Sequence, residues 1–131
     1  MKLNSRKKGV YAISLIISLF ALFIITSCDK EEEASSNDSY YVRYEISGNG
    51  AYGRFSNWTA TTPNGTYSNN GYQTASWSQT YEPVNRGFNC RVQIGNYISG
   101  PPTIEIHVSK NSEPFVLKVA RTGSSASFTI N

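Results

Sequence analysis

The chain has 131 residues, a formal net charge of +3 and only two cysteines, which limits it to one small domain and excludes a framework of several disulfides. Its isoelectric point of 8.9 does not indicate a nucleic-acid partner. Lys2, Arg6, Lys7 and Lys8 raise it: residues 28–39 hold one lysine against five acids, and residues 28–131 together carry eight basic and nine acidic residues, a net −1.

Residues 10–25 follow that basic start as sixteen residues without a charge, and Ile25-Thr26-Ser27-Cys28 closes the run. A basic region, an apolar region and a small-residue junction are the parts of an export signal. The junction resembles a bacterial lipobox, which implies removal of residues 1–27 and lipidation of Cys28. The alternative is an uncleaved transmembrane anchor. A helix of this length spans roughly 24 Å, short of the ~30 Å hydrocarbon core. Stable anchoring takes more than one acyl chain, a condition that a di- or triacylated cysteine meets. Lys30, Glu31, Glu32 and Glu33 resemble the signal that sends Bacteroidota lipoproteins to the outer face of the outer membrane. The resemblance implies a surface-facing, lipid-anchored protein whose first partner is membrane lipid through acylated Cys28; the periplasmic face is the alternative location.

Residues 28–39 lack aromatic and β-branched side chains and are expected to form a disordered acidic linker. Residues 40–131 read as one all-β domain. Tyr40, Val42, Tyr44 and Ile46 alternate with polar neighbours, as do Phe88, Cys90, Val92 and Ile94. The same holds for Ile104, Ile106 and Val108 and for Ala126, Phe128 and Ile130, while Phe115, Leu117 and Val119 alternate with Val116 and Lys118. Turn residues separate the runs at Gly48-Asn49-Gly50, Pro63-Asn64-Gly65, Asn69-Asn70-Gly71, Gly100-Pro101-Pro102, Lys110-Asn111-Ser112 and Thr122-Gly123-Ser124. The pattern predicts about seven or eight short strands in an antiparallel, immunoglobulin-like β-sandwich.

Tyr44-Glu45-Ile46-Ser47-Gly48, Trp77-Ser78-Gln79-Thr80-Tyr81 and Thr103-Ile104-Glu105-Ile106 follow one another as in a group of small secreted sandwich proteins. This order resembles the soluble domains of the mycobacterial membrane protein small (MmpS) family, which implies a β-sandwich over most of residues 42–131. Ser76 stands where that pattern has proline.

Catalytic chemistry is not expected. Residues 40–131 contain no aspartate and one histidine, His107, whose alternation with core residues points it to solvent. A Ser-His-Asp arrangement is therefore excluded within them. Zinc needs several His or Cys ligands, calcium needs clustered carboxylates, and neither set is apparent, so no metal and no cofactor are expected. The one surviving enzymatic idea is a glutamate pair for glycoside hydrolysis, Glu45 and Glu105 on one side of a sheet. Cys90 alternates with core positions and is expected to be a buried thiol.

Residues 48–81 hold seven aromatics, Tyr52, Phe55, Trp58, Tyr67, Tyr72, Trp77 and Tyr81, among Gly, Asn, Ser and Thr, with Arg54 as the only basic residue. Rigid aromatic surfaces mixed with small hydrogen-bonding side chains suit contact with a glycan or a protein. Phe55 and Trp77 are expected in the core. Trp58, by alternation with Tyr52, Arg54 and Ser56, is expected on the exposed face, with Tyr52, Tyr67 and Tyr72 as further ligand-binding candidates. The expectation is a non-catalytic binding module for glycan or protein at the cell surface. The alternative is a structural or accessory subunit of an envelope transport or assembly complex.

Overall fold

A computed structural model describes residues 37–131, so the expectations for the signal peptide, Cys28, Lys30, Glu31, Glu32 and Glu33 lie outside the described residues. Alternation produces eight strands: β1 (Tyr40–Ser47), β2 (Arg54–Thr62), β3 (Gly65–Ser68), β4 (Ser76–Val84), β5 (Asn89–Ile98), β6 (Thr103–Lys110), β7 (Val116–Thr122) and β8 (Ser125–Thr129). They form two four-stranded sheets, ordered β4-β1-β6-β7 and β3-β2-β5-β8, with every pairing antiparallel. No α-helix occurs among the described residues.

The core lies between the sheets. Val42, Tyr44 and Ile46 of β1 and Ile104, Ile106 and Val108 of β6 form one wall. Phe55, Trp58 and Ala60 of β2 and Cys90, Val92 and Ile94 of β5 form the other. Each such aliphatic side chain removed from water contributes about 1.5–3 kcal/mol before chain entropy is counted. Tyr44 keeps its hydroxyl satisfied by donating to the Thr61 carbonyl at 2.8 Å.

Immunoglobulin domains order their strands ABED and CFG. Here the chain crosses between sheets after β1, β3, β4, β5 and β7, leaving only the β2–β3 and β6–β7 hairpins. The likeness is therefore one of architecture and not of connectivity. The expected turns are present. Gly65 closes the Pro63-Asn64 hairpin at φ 125°, and Asn111 turns the β6–β7 connection at φ 54°, conformations that Gly and Asn adopt at least cost.

Three expectations are corrected. The first is the face of β7. A bulge shifts its pairing with β6, so that Ile106 opposes Val119 but His107 opposes Leu117. One extra residue reverses the faces: Val119 packs against the core, while Leu117 is exposed.

The second concerns Trp58, which is 1% exposed and belongs to the core. Asn57 adopts φ 55° and breaks the alternation, so Phe55 and Trp58 both point inward and their rings meet edge-on at 5.0 Å. Only an asparagine, glycine or aspartate enters that conformation readily, and residue type alone did not show that it would.

The third is the linker boundary. The compact unit begins at Asn37. Asp38 lies 3.0 Å from Lys110 Nζ and 4.0 Å from Arg86. Ser39 donates its N–H to Asn111 Oδ1 at 3.1 Å and accepts from the Asn111 N–H at 2.6 Å. Composition marked these residues as spacer because it carries no information on partners far along the chain, here 48 to 72 positions away.

Candidate functional site

β1 runs from Tyr40, beside the entry of the chain, to Ser47 at the opposite end of the sandwich, a rise of roughly 23 Å at about 3.3 Å per residue. Four connections gather at that far end: residues 48–53, 69–75, 99–102 and, bonded to Pro102 through Gly123, 123–124. Backbone bonds lace the first two together. Gly48 N–H donates to the Ala75 carbonyl at 2.7 Å, and Phe55 and Thr74 exchange bonds at 2.9 and 3.1 Å. Asn49 joins the third by donating Nδ2–H to the Pro101 carbonyl at 2.6 Å. Asn57 turns its side chain to use, with Oδ1 accepting from the Gly71 N–H at 2.7 Å.

The turn at residues 48–53 is wound so tightly that a Cβ on Gly48 or Gly53 would strike backbone atoms. It carries Tyr52, 80% exposed, and the adjoining connection carries Tyr72, 64% exposed. Tyr97 and Ile98, at the end of β5 opposite Phe55 and Arg54, are about half exposed and add apolar surface to the same end. They escaped the sequence reading because they continue a strand whose alternation is regular up to Ile94. The sign available was the pair of bulky residues just before Ser99-Gly100-Pro101-Pro102.

The other two aromatic candidates lie elsewhere. Tyr67 points from β3 into the gap between the sheet edges and stacks on Trp77 of β4, with centroids 5.4 Å apart and planes 14° from parallel. It keeps 36% exposure. Trp77, expected in the core, is half-buried and also contacts Trp58 at 5.9 Å. Trp58 is the floor of this stack and not a surface anchor; its Nε1 is buried without a protein partner. Burial, and then the neighbouring Tyr67, raise the Tyr81 hydroxyl above its ordinary range.

Cys90 is buried as expected, and burial pushes its thiol up to about 11. A thiol held protonated and covered is a poor nucleophile.

A second polar group gathers on the outer face of the β4-β1-β6-β7 sheet. Glu45 and Glu105 are direct cross-strand partners, so the expected common side is observed. Arg43 Nε lies 2.8 Å from Glu45 Oε1 and its guanidinium sits 4.6 Å from the Phe115 ring centre. His107 Nε2 lies 2.9 Å from Glu105 Oε2 and 3.8 Å from Glu45 Oε1. His107 does face outward, but its side chain is only 13% exposed, between the cross-strand neighbours Arg43 and Leu117. Alternation gave its direction and could not show this cover. Compared with known protein families, with curated proteins and with solved structures, the chain matches none.

Proposed function

We propose that the protein is a lipid-anchored lipoprotein of the outer membrane, held through acylated Cys28, and that its sandwich is a non-catalytic binding module. The order of basic, apolar and small residues before Cys28 supports the tether. The observation that carries the binding reading is the placement of Tyr52 and Tyr72 on adjoining, mutually bonded turns at the end opposite Asn37. A tether ending at Asn37 leaves those side chains at the end farthest from the attachment point. Aromatic side chains on rigid turns lose little conformational entropy on contact, which is how antibody loops use tyrosine. Side chains standing this far out of the surface suit a broad protein or glycan surface better than a small molecule, which needs a concave site.

The test presents the full chain, in detergent, to a glycan array and to envelope proteins under photo-crosslinking from positions 52 and 72. Array binding lost in Tyr52→Ala would identify a glycan. A discrete crosslinked product would identify a protein partner. Neither signal from a folded chain would overturn the binding-module reading.

A further inference from the structure

Glu45 and Glu105 oppose each other directly across β1 and β6. Two carboxylates in that relation repel unless something stands between them. Arg43 and His107, themselves opposite each other on the next outward-facing pair of β1 and β6, answer this charge: Arg43 Nε lies 2.8 Å from Glu45, and His107 Nε2 lies 3.8 Å from Glu45 and 2.9 Å from Glu105. Donor atoms of all three acidic and imidazole side chains lie within 4.8 Å of one another. Around a tetrahedral zinc ion, with bonds of about 2.0–2.2 Å, neighbouring donor atoms are roughly 3.4 Å apart. The two distances to the His107 nitrogen bracket that spacing.

We infer that Glu45, Glu105 and His107 form a zinc site whose fourth position opens outward from the sheet. The ligand set selects the metal. One imidazole with two carboxylates suits a divalent transition ion, whereas calcium and magnesium take six or more oxygen ligands. Three protein ligands with one open position is the pattern of zinc sites that keep a water or accept a donor from a second molecule. The strands hold the ligands at fixed pleat positions, and the cover over His107 restricts its ring. Arg43 is the built-in competitor, because it occupies the same Glu45 Oε1 that zinc would take. Its guanidinium already rests over Phe115 and has a place to go when the metal binds. The site lies on a sheet face and does not depend on the loop-end binding surface.

Isothermal titration calorimetry of the full chain in detergent with zinc chloride, repeated with calcium chloride, tests this. Zinc is expected to bind and calcium is not. His107→Gln and Glu105→Gln should each weaken zinc at least tenfold, with folding checked by circular dichroism, and Arg43→Met should tighten it. Replacing Glu31, Glu32 and Glu33 together by Gln should leave the affinity unchanged, which separates this site from the acids near the N-terminus. Absence of zinc binding overturns the proposal. So does zinc binding unchanged in folded His107→Gln or Glu105→Gln, or weakened by Arg43→Met.

Discussion

Tyr52 and Tyr72 at the loop end, and Trp58, Tyr67 and Trp77 at the β3–β4 edge, come from one stretch of similar composition and meet opposite fates. The edge group closes the sandwich: Tyr67 stacks on Trp77, Trp77 touches Trp58, and Trp58 touches Phe55. The loop group stands clear of the fold on turns held by backbone bonds. Backbone conformation, and not residue type, divides them. Asn57 rotates Trp58 inward, while Gly48 and Gly53 wind a turn that leaves Tyr52 outside. Stability should therefore follow the first group and binding the second.

Trp58→Ala gives the largest effect expected. Removing a fully buried tryptophan costs about 3–5 kcal/mol, a large part of the ~5–15 kcal/mol that holds a domain together. Chemical denaturation should show a much weakened or unfolded chain. Wild-type stability in Trp58→Ala would show that the Trp58–Trp77 contact does not support the edge. Gly53→Ala comes next, at roughly 1–3 kcal/mol, because its methyl group meets the Asn49 backbone. It should also disturb Tyr52, so this variant alone is expected to damage both stability and binding. Tyr67→Ala should cost about 1 kcal/mol through the lost stacking on Trp77, visible as a lower denaturant midpoint.

The smallest effect belongs to the tether end. The Lys110 hydrogen bond, helped by Asn111 and by the nearby Arg86, holds the Asp38 carboxyl below its ordinary 3.8. A carboxyl depressed on folding stabilises the protein above its ordinary value and loses that contribution as pH falls through the folded-state value. Asp38→Asn should lower the melting temperature slightly at pH 7, and the two melting curves should converge in acid below about pH 4. A difference that persists at low pH would assign the effect to something other than this charge.

Much of this arrangement was legible beforehand because period-two patterns report burial directly. β1, β5 and β6 carry their core residues at every second position, and the inward Cys90 followed from that alone. The failures cluster where one residue changes the count. The β6–β7 bulge moved Leu117 to the outside, and Asn57 moved Trp58 to the inside. Neither signal is local to the residue that moves. Tyr52 and Tyr72 were readable as candidates because turn residues surround them. That their turns adjoin was not, since the bonds between residues 48 and 75 and between 55 and 74 are settled by tertiary pairing. The Glu45–Glu105–His107 group shows the same division: alternation gave the shared side of the two glutamates, and only strand register brought them opposite each other.

The central claim is that binding belongs to the loop end while stability belongs to the aromatic edge. A single measurement addresses it most directly: photo-crosslinking from full chains carrying the reactive group at position 52, 72, 82 or 118, in intact envelopes, with melting temperatures taken alongside. One discrete product is expected from positions 52 and 72, none from exposed Glu82 and Lys118, and unchanged melting at all four. Equal products from every position, or a product only from positions 82 and 118, would contradict that claim.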